Sequence, residues 1–138
     1  MQFHGGVYRS DDAGESWVSI ADGLLSDFGF PLVIDPDDPD AYVIPLVADM
    51  DPTTPDGRVR VYETRDAGAS WIERGDGLRQ EDAYLTILRQ AFARSGKGAT
   101  MELYFGATSG DVFGFRDAGA TWFTAATKLP PVHSVRVA

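Results

Sequence analysis

Three stretches of this chain can be laid over one another without a gap: Val7–Ile20 (VYRSDDAGESWVSI), Val61–Arg74 (VYETRDAGASWIER) and Val112–Ala125 (VFGFRDAGATWFTA). Each carries Asp-Ala-Gly-x-(Ser/Thr)-Trp. All three tryptophans of the chain, Trp17, Trp71 and Trp122, fall in it. The leading aspartates, Asp12, Asp66 and Asp117, lie 54 and 51 residues apart. Self-similarity at a near-constant period of this length marks a repeat architecture, in which each repeat is one supersecondary unit that buries its apolar face against a neighbour.

The chemistry of the repeated motif reads as a pinned β-hairpin. An alternating strand leads in, as at Val59-Arg60-Val61-Tyr62-Glu63. Asp-Ala-Gly is turn chemistry: the carboxylate accepts backbone N–H groups across the turn, and glycine takes positive φ without steric cost. The hydroxyl residue closes the turn, and the tryptophan opens the return strand with a large apolar area to bury. Catalysis or metal binding is the other use for such aspartates. Three copies at equivalent turns cannot share one active site, so the turn-lock reading is the stronger.

These residues resemble the Asp-box, or BNR, repeat, Ser-x-Asp-x-Gly-x-Thr-Trp. The first copy fits as Ser10, Asp12, Gly14, Ser16 and Trp17. The second runs Thr64, Asp66, Gly68, Ser70, Trp71. The third runs Asp117, Gly119, Thr121, Trp122, with Phe115 in place of the first hydroxyl residue. In that family the box joins the third and fourth strands of a β-propeller blade. Sialidases, xyloglucan-degrading glycosidases, sortilin-type receptors and photosystem-assembly factors share it. The resemblance covers nearly the whole chain. It is specific for fold and unspecific for function.

It implies an all-β chain, a partial β-propeller of four-stranded antiparallel blades with three Asp-box hairpins. Residues 5–22 read as a half blade, 27–78 and 82–128 as full blades, and 132–138 as the first strand of a further blade. Pro31-Leu32-Val33-Ile34 and Ala41-Tyr42-Val43-Ile44 are the first two strands of one full blade, joined by the acidic turn Asp35–Asp40. Leu85-Thr86-Ile87-Leu88 and Glu102-Leu103-Tyr104-Phe105-Gly106 take those places in the next, with 93–100 as connector. The acidic turn could suggest a Ca²⁺ loop, but it lacks the glycine and terminal glutamate of one, and Asp-Pro pairs favour turns. Propellers close with about four to eight blades. The chain therefore reads either as the C-terminal part of a longer propeller or as half of a roughly six-bladed ring completed by a second copy. In the second case Met1 to His4 would have to help fill the composite blade.

Composition narrows the function classes. The formal charge of −9 argues against nucleic acid and against an anionic membrane surface. The absence of cysteine removes disulfides, thiolate metal sites and thiol catalysis. No apolar run reaches a membrane span, and no signal-peptide pattern opens the chain, which points to the cytoplasm. Nothing in the pattern asks for a cofactor or a metal.

By analogy with other propellers, the rim opposite the boxes is the expected binding face. It selects Asp27, Phe28, Asp49, Asp51, Arg58, Glu81, Asp82, Tyr84 and His133 as ligand-binding candidates, suited to a polar ligand such as a sugar or to a protein. A glycosidase needs two carboxyl groups facing each other across a bond, and no spacing here fixes such a pair. The resemblance brings to mind the sialidase arginine triad and Tyr/Glu pair. Glu102 and Tyr104 share a strand face, but any residues two apart do, and Arg58, Arg60, Arg89 and Arg136 cannot be assigned as a triad. His4 and His133 would be neighbours if the ends of the ring meet. The leading expectation is a non-catalytic binding or scaffold module. The rival is a sialidase-like glycoside hydrolase, or a fragment of one.

Overall fold

The computed structural model describes residues 1–116 and 121–138. The chain is all-β in three antiparallel sheets. The first sheet holds β1 (Gln2–Phe3), β2 (Gly6–Arg9) and β3 (Val18–Ser19), in that order. The second holds β4 (Leu32–Ile34), β5 (Ala41–Val43), β6 (Val61–Thr64) and β7 (Ile72–Arg74). The third holds β8 (Phe92–Ser95), β9 (Glu102–Gly106), β10 (Val112–Arg116) and β11 (Thr121–Ala126). Each sheet is a meander in which successive strands pair. Among the described residues, no helix is long and apolar enough to cross a membrane.

Three placements differ from the sequence reading. Residues 85–88 form no ladder strand. Leu85 and Ile87 are buried, but their backbone is engaged by loops: Thr54 N–H donates to Leu85 O (3.0 Å), Leu85 N–H to Thr54 Oγ1 (3.0 Å) and Thr108 N–H to Thr86 O (3.0 Å). The first strand of the third sheet is instead β8, an edge strand that overlaps the stretch 93–100 read as a connector. Its register sets Phe92 opposite Phe105 and Ser95 opposite Glu102. The polar Arg94-Ser95 half hid this strand from a reading based on apolar alternation. Residues 132–138 also join no ladder. They lie along the third sheet through Val132 N–H to Ala107 O (3.2 Å) and Val135 N–H to Gln90 O (2.9 Å). At the other end, Gln2–Phe3 adds a third strand to the first hairpin, with Gln2 opposite Val7.

The acidic stretch 35–40 is a turn tied to its neighbours. Asp35 N–H donates to Asp40 O (2.9 Å), the Asp35 carboxylate accepts from Asp37 N–H (3.0 Å) and Gly98 N–H (2.7 Å), and Asp37 pairs with Lys97. Those two backbone donors hold the Asp35 carboxyl below its ordinary range.

The apolar faces meet in two seams. Between the second and third sheets lies a continuous core that includes Tyr42, Ile44, Val61, Leu78, Leu103, Phe105, Phe113, Phe115 and Trp122. Between the first and second sheets the buried set is small, Val7, Val43 and Tyr62, with Ile20, Leu24, Leu32 and Trp71 packed against it. Alternation along the strands divides the faces. In the third sheet Leu103, Phe105, Phe113, Phe115 and Trp122 face the second sheet, and Glu102, Tyr104 and Phe123 face away from it.

Candidate functional site

Two of the three motif turns lie wholly within the described residues, and they are built alike. In the first, Ser10 Oγ donates to Asp12 Oδ1 (2.9 Å) and accepts from Gly14 N–H (2.7 Å). Asp12 accepts from Ser16 N–H (2.8 Å) and Ser16 Oγ–H (2.6 Å). The second repeats this with Thr64, Asp66, Gly68 and Ser70 at 2.8, 2.8, 2.8 and 2.6 Å. Ala13 and Gly14, like Ala67 and Gly68, take positive φ, the conformation that brings the Gly14 and Gly68 N–H groups onto the Ser10 and Thr64 hydroxyls. The Asp12 carboxyl is drawn down to about 2, chiefly by the Ser16 hydroxyl and N–H, then by Ser10. Asp66 is drawn down to about 2 by Ser70 and Thr64 in the same order. Every oxygen of these carboxylates that the turn needs is already occupied by the turn, which is the arrangement of a structural clamp. In the third turn Asp117 and Gly119 lie outside the described residues. Thr121 starts β11, and Trp122 is buried.

The tryptophans join neighbouring repeats. Trp71 Nε1–H donates to Ile20 O (2.7 Å), and Arg9 Nη1 donates to Ala67 O (2.7 Å), so the second turn is tied to the first sheet. Trp122 makes its tie through the backbone, whose N–H donates to Asp76 O (2.9 Å), while its buried Nε1–H has no hydrogen-bond partner among the described residues. Trp17 turns its Nε1–H onto Gly14 O of its own turn (3.1 Å) and is 46% exposed.

The nine ligand-binding candidates separate into groups. Phe28 is buried in the core. His4 packs against both Phe28 and Phe30 (ring centroids 5.4 Å each), and its Nδ1 lies 3.6 Å from Asp49. Asp51 accepts from Thr53 Oγ1–H (2.8 Å) in a small loop closed by an Ala48–Asp51 bridge. Arg58 donates to Gln80 Oε1 (3.2 Å). Tyr84 is exposed, with its ring over Gly57. Glu81 and Asp82 beside it are exposed, and Asp82 has φ 48°. Asp27 is exposed on the loop before Phe28. These residues therefore do not converge on one site.

His133 does reach a cavity. One hollow of about 420 Å³ is lined by Phe30, Leu88, Arg89, Gln90 and His133. A second, of about 270 Å³, shares Phe30 and Arg89 and adds Met1, Gln2 and Leu32. Arg89 Nη1 donates to Gln2 O (3.2 Å), which fixes the guanidinium between the two hollows. The Gln2 side chain is buried, with neither its Nε2 nor its Oε1 hydrogen-bonded among the described residues. An unpaired buried amide is costly, and among the described residues only Trp122 Nε1 shares this condition. No carboxylate lines either hollow. Phe30 and Arg89 were within reach of the sequence, as members of a loop and an arginine set. Gln2 and Gln90 carried no signal there.

Elsewhere, Glu63 is buried on the second sheet, on the face it shares with Val61 and opposite Tyr42 in the neighbouring strand. Burial raises its carboxyl, but hydrogen bonds from Arg65 (2.9 Å) and Arg74 (2.7 Å) outweigh this and hold it below its ordinary range. Tyr42 OH also donates to it (3.1 Å). Burial and this carboxylate together push the Tyr42 hydroxyl upward. Tyr104 OH donates to Glu102 (2.9 Å) on the third sheet's outer face, 3.6 Å from Arg116 to the same carboxylate. This Glu/Tyr pair lines neither hollow.

Compared with known proteins, the chain matches no family model and no curated protein sequence.

Proposed function

We propose that the chain is a non-catalytic binding module built as part of a β-propeller, with the three motif turns as Asp-boxes and the sheets as successive blades. The duplicated hydrogen-bond scheme of the first two turns and the sheet-to-sheet packing of Trp71 and Trp122 support the architecture. The observation that carries the function is the pair of hollows joined by Arg89. They combine an aromatic face (Phe30), the Arg89 guanidinium, an imidazole (His133) and the Gln90 amide. Flat apolar faces ringed by hydroxyls meet such a set well, so an oligosaccharide is the ligand class. The rival glycosidase reading needs two facing carboxyl groups, and neither hollow offers one.

Calorimetric titration with neutral and acidic oligosaccharides tests this. Saturable binding is expected, weakened at least tenfold by Arg89→Ala, with no reducing sugar released. Release of sugar would overturn the non-catalytic reading. Failure of every glycan to bind would overturn the ligand class.

A further inference from the structure

The repeat lets the two seams be compared position by position. It sets Tyr62, Thr64 and Trp71 of the second sheet against Phe113, Phe115 and Trp122 of the third. Strand register extends the match to the neighbouring strands. Val43 pairs with Tyr62 and Ala41 with Thr64, as Phe105 pairs with Phe113 and Leu103 with Phe115. Leu32 pairs with Val43 as Phe92 pairs with Phe105. The matched residues face the preceding sheet in both cases, so they form corresponding walls of the two seams. Where the second seam has Phe92, Leu103, Phe105 and Phe115, the first has Leu32, Ala41, Val43 and Thr64, a smaller side chain at every place. The tryptophans feel the difference. Trp122 has Phe105 and Phe115 beside it, with ring centroids at 5.1 and 5.0 Å. Trp71, its counterpart, makes no ring pair among the described residues.

The space that those rings would fill is open. A cavity of about 320 Å³ lies against Trp71, and Ala41, Leu32, Thr64 and Trp17 are among its walls. That volume is at the lower end of the roughly 300–1,000 Å³ of ligand pockets, room for one molecule of one or two rings. Trp17 and Ile34, both lining it, are 46% and 53% exposed, so the cavity has a mouth to solvent. Its polar groups are already engaged. Arg9 donates to Asp11 and to Ala67 O, Trp71 Nε1–H to Ile20 O, and the Ser10 and Thr64 hydroxyls hold the turns. No carboxylate lines it. Apolar area and ring contact are therefore what selects an occupant. We propose that the first seam is a binding site for a small, uncharged, planar aromatic molecule. Its ring takes the place beside Trp71 that the Phe105 and Phe115 rings take beside Trp122.

This site stands apart from the hollows joined by Arg89. It meets the smaller of them only at Met1 and Leu32 and includes none of Phe30, Arg89 and His133. The outcome of the glycan titration leaves it untouched.

The test is two-dimensional NMR of the full chain titrated with β-naphthol, read at the three indole Nε1–H signals. Trp17 and Trp71 line the cavity, and Trp122, buried in the other seam, is the internal control. Saturable shifts are expected at the first two and not at the third. The saturated counterpart, decahydro-β-naphthol, has no ring face and should bind about tenfold more weakly. Ala41→Leu copies Leu103 into the cavity. It should weaken naphthol binding at least about tenfold while raising the melting temperature, as cavity filling does. Trp17→Ala removes a half-exposed wall and should weaken binding about five- to tenfold, read at Trp71; it decides the location even where Ala41→Leu does not fold. Shifts no larger at Trp17 and Trp71 than at Trp122 overturn the site. Equal affinity for the saturated compound overturns the aromatic class. Undiminished binding by Trp17→Ala or by folded Ala41→Leu overturns the placement in the first seam.

Discussion

The seam between the first and second sheets and the seam between the second and third are made by the same motif, yet they differ in what they bury. Among the described residues the second seam sits in a cluster of twenty buried side chains, and the first in a cluster of three. The first seam also holds a cavity of about 320 Å³ between Trp17, Trp71, Ile20, Leu32 and their neighbours. The cause lies in a few positions. Where the first two copies place Ser10 and Thr64 to hold the turn, the third places Phe115, which is buried with its ring 5.0 Å from Trp122. Phe105 then stacks on Phe113 and meets Trp122 at 5.0 and 5.1 Å. The third copy exchanges a hydroxyl residue for an aromatic core. The first seam relies on two polar ties, Trp71 to Ile20 O and Arg9 to Ala67 O, each a net gain of about 1 kcal/mol.

The sharpest way to break this contrast is truncation on each side. Phe105→Ala removes the centre of the aromatic cluster and should cost about 3–5 kcal/mol. Val7→Ala at the first seam should cost roughly 2 kcal/mol, the transfer value of the lost methyl groups, because a cavity is already there. Urea unfolding of both variants reads the difference. Equal losses would mean that the seams are equally packed.

A second comparison uses matched glycines. Gly23 and Gly77 sit at equivalent positions with φ of 89° and 82°, so alanine carries a similar left-handed penalty of about 1–2 kcal/mol at each. Only at Gly77 does the new Cβ run into backbone, the Trp122 carbonyl. Gly77→Ala should lose a further ~1–3 kcal/mol from overpacking. Thermal unfolding of the pair measures that excess, and its absence would show that the second seam can relax.

Smaller again is the effect of the turn hydroxyls. Thr64 is fully buried, and Thr64→Val strands the buried Gly68 N–H at about 1–3 kcal/mol. Ser10→Ala, in a turn open to water, should fall below that range. If the two changes cost the same, solvent does not reach the first turn.

These positions also show how much the sequence revealed. The turns were legible because their partners are local: Ser10, Asp12, Gly14 and Ser16 complete their bonds within seven residues. The alternation around Leu32–Ile34 and Ala41–Val43 located β4 and β5 for the same reason. β8 was misplaced because the decision between 85–88 and 92–95 is tertiary. Thr54 and Thr108 capture the backbone of the first segment, and the pairing of Phe92 with Phe105 favours the second. The hollows were largely illegible. They are assembled from residues 2, 30, 32, 88–90 and 133, brought together by packing of the sheets rather than by spacing. Of the nine residues chosen from loop position, only His133 lines one of them, because membership of a rim does not say which side chains turn toward a common space.

The last contrast is a matter of pH. Asp12 and Asp66 have carboxyls drawn to about 2 in the folded chain, against an ordinary value of about 3.9 in an unfolded one. A depressed folded value means that the clamp's contribution is complete above about pH 4 and is lost as pH falls toward 2. Both carboxylates should titrate near 2 by NMR, and Ser16→Ala and Ser70→Ala should move the respective aspartate upward. The consequences differ between the turns. The second is also held by Arg9 on Ala67 O and by Ile20 against Gly68, while the first has the exposed Trp17 beside it. Between pH 4 and 2 the amides of Gly14 and Ser16 should therefore lose exchange protection before those of Gly68 and Ser70. Simultaneous loss would show that the ties across the first seam add nothing to the clamp, and that each hairpin stands on its own carboxylate.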